Sequence, residues 1–154
     1  MSGQASAILH ATCIAIGEAG VLLRGPSGSG KSDLALRLID AGAALVADDM
    51  VALAATDGRL RAAPPPPLAG LLEVRGIGPL RLPHRDADLC LAVDLVPAAE
   101  IERVPLPAEL ALLGCRLPLL RIDPEAASAP ARLRLAVACR DQLPGAHLTR
   151  AAAE

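Results

Sequence analysis

Gly25-Pro26-Ser27-Gly28-Ser29-Gly30-Lys31-Ser32 stands between an apolar run, Gly20-Val21-Leu22-Leu23-Arg24, and the segment SDLALRLID (32–40). The eight residues satisfy the phosphate-loop pattern GxxxxGK[ST] in full. The context also fits: a short strand buried on both faces before it and an amphipathic helix after it, with Leu34, Leu38 and Ile39 as the apolar stripe. Glycines let the backbone turn its N–H groups inward onto phosphate oxygens, and the helix N-terminus adds a partial positive charge. Lys31 supplies a flexible point charge, and the Ser32 hydroxyl suits a magnesium ion. From this composition only about 4 × 10⁻⁴ such matches are expected by chance. Fourteen of the fifteen basic residues are arginine, and Lys31 is the single lysine. The loop predicts binding of a nucleoside triphosphate, with Gly25 through Ser32 around its phosphates.

Outward from the loop, residues 7–16 (AILHATCIAI) read as one strand, with Ile8, His10, Thr12, Ile14 and Ile16 on one face. Gly42 stops the helix, and 43–47 (AALVA) reads as a buried strand ending in Asp48-Asp49. VALAA (51–55) and RLRA (59–62), joined by Thr56-Asp57-Gly58, predict a hairpin. Four prolines (64–67) form a stiff connector, and LLEVRGIGPL (71–80) passes from an apolar segment into a glycine-bearing loop. Residues 89–96 and 115–122 are further strands, and 131–143 reads as a C-terminal helix closed by Pro144-Gly145. No internal repeat is present. The class is α/β, in one domain spanning 1–154.

A chain of 154 residues can bury a substantial core, and 53% hydrophobic against 21% charged residues excludes a disordered chain. A net charge of -2 gives no electrostatic case for nucleic acid, and the lack of Phe, Tyr and Trp removes base stacking. No 18-residue apolar window and no basic-led apolar leader occur, which predicts a cytoplasmic domain outside the membrane. Cys13, Cys90, Cys115 and Cys139 are irregularly spaced, without a CxxC pair, and read as reduced, mostly buried thiols. His84 and His147 fall in polar or terminal stretches and read as solvated, and the final AAAE as a frayed end.

Asp48 and Asp49 lie seventeen and eighteen residues after Lys31, where a parallel neighbouring strand would bring them beside the loop. One carboxylate there can bind magnesium and the other can accept a proton from an attacking hydroxyl. A guanine-reading Asn-Lys-x-Asp segment is excluded, because Lys31 is the only lysine. The Ser-Gly-Gly signature of transporter-type ATPases is also missing. Two readings stay open on these residues alone: a small-metabolite kinase whose arginine-rich lid hides among fourteen arginines, and a nucleotide-responsive module without catalysis.

LHATCIAIGEAGVLLRGPSGSGKSDLALRLIDAGAALVADD (9–49), followed by LLEVRGIGPL (71–80), resembles the catalytic domain of the bacterial HPr kinase/phosphorylase family. The shared features are the histidine strand, the GxSGxGKS loop, a following acid, LVADD and the Leu-Glu-Val-Arg-Gly-Ile-Gly segment, over most of residues 9–81. The resemblance implies a phosphate-loop kinase domain with a mixed sheet, without the N-terminal regulatory domain of longer members. It implies an ATP- and Mg²⁺-dependent protein serine kinase whose partner is an HPr-type phosphocarrier, with the reverse phosphorolysis in many members and ring-like hexamers among relatives. By the same resemblance His10, Lys31, Asp48 and Asp49 are catalytic, with Asp48 taking the serine proton. Ser32 and Glu73 are the Mg²⁺ ligands, and Arg75, Gly76 and Gly78 meet the partner or its phosphate. Arg103, in Ile101-Glu102-Arg103-Val104-Pro105, corresponds to the arginine tied to dephosphorylation. Beyond residue 82 the likeness fades, and RIDPEAASAPARLRL (121–135) lacks the glycine and asparagine of the family's basic segment.

Overall fold

The computed structural model describes residues 5–143; Pro144-Gly145, His147 and the terminal AAAE fall outside the described residues. The elements run β1 (Ala5–His10), β2 (Thr12–Ile16), β3 (Ala19–Arg24), α1 (Lys31–Asp40), β4 (Ala44–Ala47), β5 (Met50–Thr56) and β6 (Arg59–Ala63). After them come β7 (Leu71–Val74), β8 (Gly78–Arg81), β9 (Ala87–Leu95), β10 (Glu109–Leu112), β11 (Cys115–Ile122) and α2 (Ala129–Ala138). Nine strands form one mixed sheet in the order β1-β5-β6-β9-β3-β2-β4, with β11 parallel to the end of β9 and β10 antiparallel to β11. The hairpin β7–β8 stands apart as a two-stranded sheet. Among the described residues no helix is long and apolar enough to cross a membrane.

The expected strand 7–16 is broken at Ala11. On either side of the break the register is the same: His10 pairs with Met50 and Cys13 with Ala47. Residues 5–16 therefore run beside 44–56 as one interrupted antiparallel line, whose register shifts by one only beyond the break, between Cys13 and Ile14. Because β1 continues into β2 and β4 into β5, the sheet bends back on itself around the path β2, β3, β9, β6, β5. That bend separates two cores. One, inside the curve, is built from small residues such as Cys13, Ala47, Ala62 and Ala92 with Leu22, Leu53 and Leu60. The other lies under the helices, where Leu34, Ala35 and Leu38 of α1 and Leu133 and Val137 of α2 meet Ile14, Leu23, Leu91 and Val93. Without aromatic side chains, the interior is filled by many small and branched ones at close packing.

Helix α1 ends as its sequence directs. Gly42 takes φ 108°, its N–H donates to Ile39 O, and the Ala43 N–H donates to Leu38 O, a Schellman closure. Helix α2 starts at Ala129 and stops at Ala138, five residues short of the expected end. Its buried stripe ends at Val137, and exposed Arg140, Asp141 and Gln142 form only a 3₁₀ turn with no apolar face to pack. LLEVRGIGPL is a hairpin, not a strand running into a loop: Leu71 pairs with Arg81 and Val74 with Gly78. Leu72 and Val74 pack on Leu45, with Ile39 and Leu82 beside them, which docks the hairpin against α1 and β4. The 51–63 hairpin and the strands at 89–96 and 115–122 stand as expected, and β10 adds a strand that the sequence did not signal.

Candidate functional site

A cleft of about 660 Å³ opens between the phosphate loop, the start of α1 and the β7–β8 hairpin. Gly28 at φ 81° and Gly30 at φ 99°, the latter capping α1, hold the left-handed conformations that turn the loop inward. At Gly25 a Cβ would stand 2.4 Å from Ser29 Oγ, so the first loop position accepts only glycine without displacing Ser29. Lys31 is buried, and its Nζ donates to Gly25 O at 2.5 Å and to Pro26 O at 3.0 Å. The ammonium thus lies against the loop's opening residues, within reach of a terminal phosphate.

Below it, Ser32 Oγ is 2.8 Å from Asp48 Oδ1 and 3.0 Å from Oδ2, and Thr12 Oγ1 donates to Oδ1 at 2.8 Å. The expected parallel neighbour is not what brings Asp48 here. Strand β2 lies between β3 and β4, antiparallel to both, and its first residue Thr12 bridges the gap. Thr12 is fully buried and belongs to the same line of register as Asp48. In the sequence it counts only as one position on a strand face. The signal was the pairing register, which a single strand's periodicity does not carry.

Asp49 departs from its neighbour. Its φ is 69°, and the Met50 N–H donates to Asp48 O at 2.8 Å, so Asp49 is the centre of a three-residue turn. The Ala11 N–H donates to Asp49 O at 3.2 Å across the strand break. This turn sends the Asp49 carboxylate outward, where His10 Nε2 donates to Oδ1 at 3.0 Å. A carboxylate only accepts, so in this contact His10 is the donor through Nε2. Asp48 is nearly buried while Asp49 is 69% exposed.

Across the cleft, Glu73 and Arg75 line the hairpin wall. Gly76 (φ 89°) and Gly78 (φ 108°) shape the turn that carries Arg75 but do not line the cleft. Arg103 lies exposed in the connection between β9 and β10, away from the cleft. The structure thus brings together His10, Ser27, Gly28, Gly30, Lys31, Ser32, Asp48, Asp49, Glu73 and Arg75, with Thr12 added.

For a magnesium ion the donor set is a hydroxyl on a carboxylate, Ser32 on Asp48, with Glu73 on the facing wall. Among the described residues no three His, Cys, Asp or Glu side chains gather as a ready-made metal cage. The hydroxyl and carboxylate donors fit magnesium, which is usually held by one or two protein oxygens together with substrate phosphates.

The model of the HPr serine kinase C-terminal domain matches residues 4–84, more than half of the chain. The chain belongs to the HPr kinase family. An HPr kinase/phosphorylase of Burkholderia lata is 40% identical over an alignment of 138 residues, covering 79% of this chain and 41% of that protein. One from Clostridium novyi is 44% identical over 75 residues, 49% of this chain and 24% of that protein. The chain therefore spans between about a quarter and two fifths of the curated relatives it matches. The HPr(Ser) kinase/phosphatase of Coxiella burnetii superposes with a TM-score of 0.76 at 28% identity, covering 87% of this chain and 90% of that one. Its likeness extends through β9 to α2, well past the end of the family-model match, and supports the mixed-sheet α/β kinase fold for the full set of elements.

Proposed function

We propose that this chain is an ATP- and Mg²⁺-dependent serine kinase domain acting on an HPr-type phosphocarrier, and that it runs the reverse phosphorolysis as well. The observation that carries the reading is the division of labour between two adjacent carboxylates under one phosphate loop. Both oxygens of Asp48 receive a hydrogen bond from Ser32 or Thr12, an arrangement that orients the carboxylate on the magnesium side beside the Ser32 hydroxyl. Asp49 is exposed at the cleft, with His10 on one of its oxygens. We therefore assign the proton-accepting role to Asp49, with His10 orienting it, and the metal-side role to Asp48, Ser32 and Glu73. This exchanges the expected roles of Asp48 and Asp49.

In the forward direction the serine Oγ forms the new bond to the γ-phosphorus as the bond to the β–γ bridging oxygen breaks. The serine proton passes to Asp49, and ADP leaves. When bound, magnesium would neutralise charge on the β and γ oxygens. Lys31 and the loop N–H groups of 25–32 hold the phosphates, and the reaction gains chiefly from positioning and charge neutralisation. In reverse, inorganic phosphate attacks phosphoserine, Asp49 returns the proton to the serine oxygen, and pyrophosphate forms. A small-metabolite kinase would close its substrate under arginines. Arg75 is the one arginine lining this open cleft among the described residues, which favours a protein acceptor.

Intact-mass analysis of the phosphocarrier after incubation with this chain and Mg-ATP is the test. One added phosphate is expected. Asp49→Asn should lose transfer by about a hundredfold or more while still binding nucleotide. No added mass with the unsubstituted chain, despite nucleotide binding, overturns the reading.

A further inference from the structure

Strand β11 ends at Ile122, and the turn that follows returns to the phosphate loop. Pro124 packs on Gly30, where a Cβ would stand 3.3 Å from Pro124 Cβ. The turn is held from within by the Glu125 N–H on Asp123 Oδ1 at 3.0 Å and the Ala126 N–H on Asp123 O at 3.2 Å. From α1, Arg37 reaches it: Nη2 donates to Pro124 O, while Nε donates to Asp33 Oδ2 at 3.1 Å. An i,i+4 pair on a helix surface leaves an arginine free to swing. The second anchor, on a segment 87 residues along the chain, removes that freedom and fixes the plane of the guanidinium. The side chain is 31% exposed, so part of that plane meets solvent.

Lys31 Nζ lies on Gly25 O and Pro26 O, and Asp48 and Asp49 line the cleft with it, which marks that end for the terminal phosphate. The N–H groups at the start of α1 take the inner phosphates, so the nucleoside leaves the loop there. Asp33, in that first turn, lines the cleft, and Arg37 is one turn further on the same side of the helix. A base carried past Asp33 therefore arrives at Arg37, beside the Pro124 turn. The chain has no Phe, Tyr or Trp to stack it on. Guanidinium planes stack on bases as aromatic rings do.

We propose that Arg37 is the platform for the nucleobase: the base lies flat against the guanidinium, with Pro124 at its side and the ribose over Asp33. Asp33 and the Pro124 carbonyl act through Arg37 and are its positioning groups. Stacking takes hold of the π-face, which every base has, and not of the edge that tells one base from another. The platform therefore sets affinity for nucleotides over bare polyphosphates without selecting adenine over guanine.

This inference rests on the nucleotide-binding reading above. Its test compares the unsubstituted chain with Arg37→Lys and Arg37→Ala by calorimetric titration. The ligands are the Mg²⁺ complexes of a non-hydrolysable ATP analogue, the matching GTP analogue, and inorganic tripolyphosphate, which has phosphates alone. Both variants should weaken the two nucleotides by about three- to tenfold, equally within about twofold, and leave the tripolyphosphate Kd within about twofold. Arg37→Lys keeps the charge and the helix pair with Asp33 but has no plane, so it controls for both fold and charge. Full recovery in Arg37→Lys overturns the platform, because charge alone would then suffice. A parallel loss of tripolyphosphate also overturns it, since Arg37 would then be supporting the loop. So does a loss confined to one of the two bases, which would mean that an edge is read, and so do unchanged affinities in both variants. An unsubstituted chain that binds none of the three ligands overturns both readings together.

Discussion

Replacing Thr12 by Val isolates the contribution of one hydroxyl. The two side chains share a shape, but valine cannot donate to Asp48, and the site is fully buried. A hydrogen bond to a charged group is worth roughly 1.5–3 kcal/mol. Asp48 keeps the Ser32 hydroxyl and a little solvent contact, so the lower end applies, about 1.5 kcal/mol. For a chain of this size each kcal/mol moves Tm by roughly 2–4 °C, which gives a fall of about 3–6 °C. Thr12→Ser keeps the donor and loses only a methyl group, so it should sit between the two. The same bond holds the carboxylate over Ser32. The Mg²⁺ concentration for half-maximal transfer should therefore rise about tenfold in Thr12→Val and little in Thr12→Ser, the equivalent of the same 1.4–1.5 kcal/mol. Thermal melts of the metal-free chains and a magnesium titration of phosphocarrier labelling measure the two effects. A valine variant as stable as the wild type, or one with an unshifted magnesium midpoint, would refute the claim that Thr12 positions Asp48.

Other substitutions separate the parts of the site. Lys31→Met should remove most nucleotide affinity, read by fluorescence of a labelled ATP analogue, while the far-ultraviolet circular dichroism is kept, since Lys31 bonds only loop carbonyls. Gly25→Ala should abolish nucleotide binding through the contact with Ser29, and adding Ser29→Gly, which removes the obstructing Cβ and Oγ together, should restore a measurable part of it. Failure of that rescue would show that the glycine serves the ligand's approach and not the packing of Ser29. Burial pushes the Cys13 and Cys90 thiols up from their ordinary value of 9.0, so each ionises at higher pH in the folded chain than in the unfolded one, Cys13 by the wider margin. Folding stability is then independent of these thiols below about pH 9 and falls above it, by up to about 1.4 kcal/mol per pH unit for each. The stability gap between the native chain and Cys13→Ala, read from denaturant melts, should stay constant from pH 7 to about 9 and narrow above it, because only the native chain loses the Cys13 contribution there.

What the sequence disclosed was local. The phosphate loop, the helix behind it and the Gly42 closure are fixed by residues next to one another, so their reading needed no tertiary information. The histidine strand, the acidic pair and Glu73 were also named, and all of them line the cleft. What stayed hidden depends on pairing across distance. The break at Ala11 has no local cause: alanine is neutral there, and the interruption comes from the Asp49 turn on the neighbouring line. Strand β10 is a four-residue edge piece, half exposed, with too few alternations to register. The expected end of α2 runs past the observed one because no glycine or proline stops the helix before Pro144, while the place where its buried face ends is set by tertiary packing. The Arg24–Asp94 pair joins β3 and β9 some seventy residues apart, and nothing in either segment marks the other.

The adjacency of Asp48 and Asp49 makes the turn between them a functional requirement. In an uninterrupted strand the two side chains would project to opposite faces of the sheet, one into the inner core and one toward the helices. Neither direction serves a shared reacting centre. The left-handed residue at Asp49 ends the strand one residue past Asp48 and swings the second carboxylate onto His10, at the lip of the same cleft. A non-glycine residue at φ 69° carries a conformational cost, and such positions persist where surrounding contacts hold them. Here the holding contacts are the Met50 N–H on Asp48 O and the Ala11 N–H on Asp49 O, one on each side of the turn. The second of these exists only because β1 and β2 keep one register through their break. The bend of the sheet, the interruption at Ala11 and the separation of a metal-side from a proton-side carboxylate are therefore one structural decision. A residue that straightened any one of them would carry the others with it.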